Sequence, residues 1–327
     1  MSIEIPLEEN EVPNKVPAEV AVSVFMPAYQ HCEYVRQAIE SALAQKTSFP
    51  FEICIGEDES IDGTREICEE LASKYPEKIR LFLRSRQDVV MIDGRPTGRY
   101  NSNRTRDACR GKYISICEGD DFWIDELKLQ KQYDFMEAHP QIPICATRGI
   151  ERTTGKAPRD RIVPAEFVPS YGQDWFLQRK TGMITASVFY RVDAVDRELL
   201  HDTEILTVDW AMMLGATEGN RRCAMLPDIT AVYRKHGKGV WTGINSLAQL
   251  RARKKTLERY LVHAKDVDDS LVRQSLGVLA LQMARTEKKQ ISRLAETLFF
   301  LRQLFSKSGR MFLKELVVAR RNRRHST

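Results

Sequence analysis

Between residues 20 and 118 short apolar runs alternate with segments of helical spacing, and this alternation limits the possible folds more than any other feature of the chain. "VAVSVFMP", "FEICIG", "KIRLFLR" and "KYISICE" each read as a buried strand. "YVRQAIESALAQ" places Val35, Ile39, Ala42 and Leu43 on one helical face, and "DGTREICEELASKY" does the same with Ile67, Leu71 and Ala72. Apolar strands separated by amphipathic helices predict an α/β fold, a mostly parallel sheet covered on both faces. In such sheets ligands collect at the carboxyl ends of the strands. Two acidic clusters fall at those ends, "GEDES" after the second strand and "CEGDDFW" after the fourth. Glu118, Asp120 and Asp121 repel one another at a cleft mouth unless a cation or hydrogen-bond donors compensate. They read either as a divalent-metal site or as a capped turn before "KLQKQYDFMEAH".

The second half is less regular. "TGMITASVFYR" and "RCAMLPDITAVYR" predict further strands with the short helix "VDWAMMLGATEGN" between them, and the pattern from about Leu247 onward is helical. This divides the chain into an arm over 1–20, a domain over 21–245 with halves meeting at about 125, and a helical region over 246–327. The chain has 327 residues, 43% of them hydrophobic, enough to bury a sizeable core. Its net charge of +5 is concentrated at the end, where Arg302, Lys307, Arg310, Lys314, Arg320, Arg321, Arg323 and Arg324 face the single acid Glu315. Duplex nucleic acid needs a broad basic surface, so no nucleic-acid partner is expected. The same end carries Phe299, Phe300, Phe305, Phe312, Leu313 and Leu316. Such a basic amphipathic helix fits two uses: peripheral contact with the inner membrane surface, or packing on the domain or a partner copy as a homo-oligomer. The 7 cysteines show no C-x-x-C spacing and fit a reducing compartment. With no signal-peptide pattern and no apolar run near the roughly 20 residues of a membrane span, the expectation is a cytoplasmic chain.

The ordered set of motifs resembles family-2 glycosyltransferases of the GT-A fold. "VSVFMPAYQHCEYVRQAIESALAQKTSFPFEICIGEDESIDGTREI" is similar to that family's first βαβα unit, a strand ending in P-x-Y/F, a helix, then "DDGSTDGT". "GKYISICEGDDFW" resembles its D-x-D segment in a subgroup reading E-G-D-D, and "TVDWAMML" followed by "AVYRKHGKGVW" resembles that subgroup's acceptor half. The likeness covers roughly residues 21–243. It implies a Rossmann-like nucleotide-binding half over 21–125, an acceptor half over 126–245 and a C-terminal helical extension. It also implies an inverting, metal-dependent transfer from a nucleotide-diphospho-sugar, UDP-linked by preference, with Mn²⁺ or Mg²⁺ as cofactor. The implied acceptor is a glycan or lipid-linked saccharide in cell-surface polysaccharide biosynthesis.

The resemblance carries residue by residue. Pro27, Ala28 and Tyr29 fall where the family lines its base and ribose pocket, and Asp58 matches the acid that accepts a hydrogen bond from the base. Glu59 stands where the family has glycine. Asn103 takes the place of the Asn in "ARN", with Ser102 for the Arg; Arg99, Arg104 and Arg106 nearby either meet the diphosphate or form a solvated helix face. Glu118, Gly119 and Asp120 match D-x-D, with Asp120 the metal-binding carboxylate and His236 able to complete the coordination. Asp209 matches the catalytic base, which removes the acceptor hydroxyl's proton; its plainer reading is a helix N-cap. Asp121, Trp210 and Thr185 fall on the acceptor side. Asp62 and Gly63 read as a turn and helix start. The departures at Glu57–Glu59, Ser102 and Glu118 keep a second class open, a catalytically inactive nucleotide-sugar-binding scaffold. A nucleotidyltransferase needs a Gly-rich basic loop after strand one, and "PAYQHCEY" has neither glycine nor lysine.

Overall fold

The computed structural model describes residues 10–305 apart from 93, 158, 162–170, 179–182, 237–240, 242 and 268. The expected alternation forms: β1 (Val22–Ala28), α1 (Val35–Leu43), β2 (Phe51–Glu57), α2 (Thr64–Lys74) and β3 (Ile79–Leu83). The polar segment that follows folds into a small hairpin, β4 (Val90–Ile92) and β5 (Arg95–Thr97), before α3 (Arg99–Asp107) and β6 (Tyr113–Ile116). The remainder comprises β7 (Phe122–Trp123), α4 (Lys128–Ala138), β8 (Ile144–Thr153), β9 (Arg159–Arg161), α5 (Gln173–Leu177), β10 (Phe189–Arg191), α6 (Arg197–His201), α7 (Val208–Ala216) and β11 (Ala224–Lys235). Helices α8 (Ser246–His263) and α9 (Asp269–Phe305) end the described chain.

The main sheet runs β3-β2-β1-β6-β10-β8-β11-β7, with β9 on β8. β1 pairs parallel with β2 and β6, β2 with β3, and β8 with β11; β10, β7 and β9 run antiparallel to their neighbours. β1 and β2 are buried on both faces, as uninterrupted apolar runs require. One core layer lies under α1, α2 and α4, and a second lies under α5 to α9. Leu250, Leu257 and Tyr260 of α8 and Val272 and Leu279 of α9 join α7 in that second layer, so the helical region packs on the sheet domain. Among the described residues no helix is long and apolar enough to cross a membrane. The basic end over 306–327, with Phe312, Leu313 and Leu316, lies outside the described residues.

Two local departures have physical causes. In "TGMITASVFYR" only Phe189–Arg191 is strand; Thr185–Ser187 forms a 3₁₀ turn. Ser187 donates to the Ile184 carbonyl through both its N–H (2.9 Å) and its Oγ (2.8 Å), which withdraws this stretch from the ladder. In β11, Pro227 lacks a ladder donor, and the register with β8 slips between Leu226 and Ile229 and again before Ala231.

At the amino end of the sheet the fully buried Glu52 is closed by charge. It accepts from Ser23 Oγ at 2.6 Å, from Arg110 Nη2 at 2.8 Å and from Arg80 Nη1 at 3.4 Å.

Candidate active site

Strand order reverses at β1, and the crevice at that switch point is where ligands bind in open α/β sheets. A cavity of about 880 Å³ opens there. Backbone bonds beyond the strands align its walls: Asp58 N–H donates to Ala28 O at 3.1 Å, Cys117 N–H to Phe25 O at 3.0 Å and Gly119 N–H to Pro27 O at 3.0 Å. The turn after β6 therefore lies alongside the end of β1. A Cβ on Gly119 would come within 2.8 Å of His31 Nδ1 and 3.1 Å of Ala28 Cβ, so glycine is what permits this approach.

Ligand oxygens of Glu118, Asp120 and Asp121 lie within 4.8 Å of one another. Asp120 Oδ2 meets His236 Nε2 at 2.9 Å and His31 Nε2 at 3.8 Å. Burial works to raise the Asp120 pKa, but the His236 hydrogen bond and the two histidines bring it below the usual range. Glu118 is pushed well up, first by burial and then by the charges of Asp120 and Asp209. Asp121 is also pushed up by burial and by its acidic neighbours; it turns inward and accepts from Arg234 N at 2.9 Å. Nδ1 of both histidines and Asp121 Oδ2 are buried with no hydrogen-bond partner among the described residues. Carboxylate oxygens clustered here, with the Nε2 atoms of two imidazoles facing Asp120, make an oxygen and nitrogen donor set that fits a divalent cation.

His31 is held in place by the "SIDGT" turn. Thr64 Oγ1 accepts from His31 N at 2.7 Å, Ser60 Oγ from Gln30 N at 2.9 Å and Asp62 Oδ2 from Cys32 N at 3.1 Å. Asp62 also accepts from Thr64 N and Oγ1, and Gly63 is the N-cap of α2.

At the other end, Asp58 and Tyr29 face the cavity together, and Arg86 connects them. Its Nη1 lies 2.5 Å from Asp58 Oδ2 and its guanidinium stacks 4.1 Å from the Tyr29 ring centre. Burial raises the Asp58 pKa to about 6 despite Arg86. Glu59 adopts φ 57°, a left-handed conformation natural to glycine and mildly strained for glutamate. Its carboxylate accepts from Arg86 N at 2.6 Å, so it orients the Arg86 loop.

Asp209 sits in the first turn of α7, whose N-cap is Thr207, and lines the cavity. Its side chain is exposed toward the cavity, yet the protein crowded around it raises its pKa, offset in part by nearby backbone N–H groups and Arg99. Trp210 and Thr185 line the same cavity, with Trp210 Nε1 anchored to Phe176 O at 2.9 Å.

Of the expected residues, Pro27, Ala28, Tyr29, Asp58, Glu118, Asp120, Thr185, Asp209, Trp210 and His236 come together around one cavity. Gly119, Asp121 and Asn103 are not among its lining; Asn103 accepts from Arg106 Nη1 at 3.5 Å. Asn101 lines it instead, donating to Gly56 O at 2.8 Å. A Cβ on Gly56 would fall 1.8 Å from Thr105 Oγ1, which shows how tightly α3 presses on β2. Sequence reasoning did not single out His31, Arg86, Asn101, Trp241 or Arg253 for the site; the place of His31 in "PAYQHCEY", just past a strand end, is the signal that could have found it.

The sequence model for Glycosyl transferase family 2 matches residues 23–199. The protein Rv1520 of Mycobacterium tuberculosis (strain H37Rv) is 33% identical over 225 residues, which is 67% of this chain and 60% of that protein. The chain thus spans about 60% of the length of that relative. The crystal structure of S. aureus TarS 1–349 in complex with UDP-GlcNAc superposes with a TM-score of 0.56 at 17% identity, over 80% of this chain and 71% of that one. The mannosyltransferase PcManGT of Pyrobaculum calidifontis, in complex with GDP-Man and Mn²⁺, gives 0.52 at 13% identity over 92% and 85%. These two likenesses show the fold, and the sequence match over more than half of the chain shows that it belongs to glycosyl transferase family 2.

Proposed function

We propose that the protein is a metal-dependent, inverting glycosyltransferase that moves a sugar from a nucleotide-diphospho-sugar to a saccharide acceptor. One observation carries this reading: Asp58, Asp120 and Asp209, from three separate segments, line a single cavity at the sheet's switch point. Asp58 and Tyr29 suit the base, and a pyrimidine whose N–H donates to the Asp58 carboxylate favours UDP. Asp120, His236 and His31 would hold the cation, with Glu118 beside them. A divalent cation, Mn²⁺ or Mg²⁺, neutralises a departing diphosphate when bound there. Asp209 takes the proton of the acceptor hydroxyl as that oxygen bonds to the anomeric carbon and the bond to the diphosphate oxygen breaks on the opposite face. Its raised pKa strengthens it as a base relative to an ordinary carboxylate. That Asp209 lines the cavity supports this reading over the inactive scaffold. The E-G-D-D reading of 118–121 and a glycan or lipid-linked acceptor belong to the same proposal, as does membrane contact through the basic end.

Calorimetric titration with UDP, with and without Mn²⁺, tests the donor site. Binding that needs Mn²⁺ and is lost in Asp120→Ala is expected. Absence of binding to the wild type, with dTDP and GDP also failing, would sink the proposal.

A further inference from the structure

Helix α8 carries five cationic side chains of the Lys/Arg type, and four of them are matched. Arg251 pairs with Glu287, Lys254 with Glu258, Lys255 with Glu204 and Arg259 with Asp202. Arg253 differs. It turns into the cavity that Asp209 and Glu118 line, is half-buried there, and has no carboxylate or hydrogen-bond acceptor among the described residues. Its guanidinium stacks 4.7 Å from the Trp241 ring centre, and Trp241 also lines the cavity. Gln249, one turn earlier on α8, donates to Trp241 O at 3.0 Å and to Ile244 O at 3.4 Å, so the helix fixes the ring against the guanidinium. Stacking satisfies the face of a guanidinium and leaves its five N–H groups in the ring plane free to donate.

A half-buried cation loses solvation and normally recovers it from an anion. Burial is the sole influence on Arg253 and lowers its pKa, whereas Arg99 is influenced by Asp209 as well. Arg253 enters the cavity from α8, which packs on α7, and pairs with neither Asp120 nor Asp209, so its anion is sought on the acceptor side and not in the diphosphate beside Asp120. Resting on the glycosyl-transfer reading, we infer that Arg253 and Trp241 form an acceptor subsite that takes an anionic saccharide. Trp241 lies against a sugar ring and Arg253 forks onto a carboxylate or phosphate of the same acceptor.

The full-length protein is first saturated with UDP and Mn²⁺, then titrated by calorimetry with glucuronate, glycerol phosphate and neutral glucose. One or both anionic probes bind at least tenfold more tightly than glucose. Arg253→Gln abolishes that preference, Arg253→Lys keeps part of it, and UDP affinity stays within twofold in both variants. Glucuronate alone or glycerol phosphate alone identifies which anion the acceptor carries. Equal binding of all three probes by the wild type would overturn the inference. So would a tenfold loss of UDP affinity in Arg253→Gln, since the guanidinium would then serve the donor. If the wild type binds no nucleotide, the transferase reading fails first and this subsite falls with it.

Discussion

Lys128 places an amine where no water reaches, between the segments on either side of the acidic turn. Its side chain is fully buried; Nζ donates to Ser115 Oγ at 2.9 Å and to Gln132 Oε1 at 2.6 Å, and lies 4.2 Å from the Trp123 ring centre. Ser115 precedes the acidic turn and Trp123 follows it, so Lys128 ties together the two segments that flank that turn. Burial lowers its pKa from 10.5 to about 7, only partly opposed by Cys117, Cys145 and Asp125. Between pH 7 and 10.5 the unfolded chain holds a proton that the folded chain lacks, so stability rises with pH across that window. The gap corresponds to about 5 kcal/mol at pH 7 and below, and fades to nothing near pH 10.5. Lys128→Met removes this penalty. It also loses two hydrogen bonds and strands Gln132 Oε1, together about 3 kcal/mol. The variant is therefore more stable than the wild type by about 2 kcal/mol at pH 7 and less stable by about 2 kcal/mol at pH 10, with the curves crossing at about pH 8. Urea unfolding followed by circular dichroism at those three pH values, with reductant present, measures the difference. A constant offset between the two proteins at all three would refute the reasoning.

Asp209→Asn keeps the shape of the base but cannot take a proton: sugar transfer slows by about 10²- to 10⁴-fold while UDP affinity by calorimetry is unchanged. Turnover within tenfold of wild type would move the base elsewhere. Gly119→Ala drives a methyl group toward His31 and Ala28, at a cost of about 1–3 kcal/mol, and lowers both the thermal midpoint and Mn²⁺-dependent UDP affinity. An unchanged affinity would mean the β1 exit and the acidic turn are not locked together. Glu52→Ala leaves Arg80 and Arg110 facing a buried gap and costs about 3–5 kcal/mol in urea unfolding. A loss below about 1 kcal/mol would mean the arginines find solvent instead.

Much of the site was legible because a doubly buried strand prints its apolar run directly in the sequence, and parallel topology then puts whatever follows it at one edge. That logic brought the clusters that hold Asp58 and Asp120 to one edge of the sheet. It fails where a side chain, not the strand period, decides. Ser187 bonds to Ile184 and turns an apolar stretch into a 3₁₀ turn, which hydrophobic spacing cannot register. Asn101 and Asn103 are about 200° apart around α3, and only the contact with Gly56 selects Asn101 for the cavity. Glu59 looked out of place against the family's glycine; the left-handed turn is kept, and the carboxylate gains a role on Arg86 that no local pattern announces. Arg253 reads as one more cation on a charged helix until its neighbours are seen to be paired.

The two ends of the sheet show why the upper carboxylates call for a ligand while the lower one does not. Both hold acids that are wholly or largely withdrawn from bulk water. Glu52 is answered in full: a hydroxyl and two guanidiniums donate to it, and that arrangement is complete within the fold. Glu118, Asp120 and Asp121 are answered only in part. Arg234 donates a backbone N–H to Asp121 but leaves Oδ2 without a donor, and the two histidines reach Asp120 with Nε2 while Nδ1 of each stays unbonded among the described residues. Arg106 bears on Glu118 without bringing its pKa back to the ordinary range. A chain able to build a closed ion network on one end of β1 and β2 had the means to close the other. Glu118 and Asp120 line the cavity together with Asp58 and Asp209, so on the proposed reading the compensating charge is that of the cation bound there.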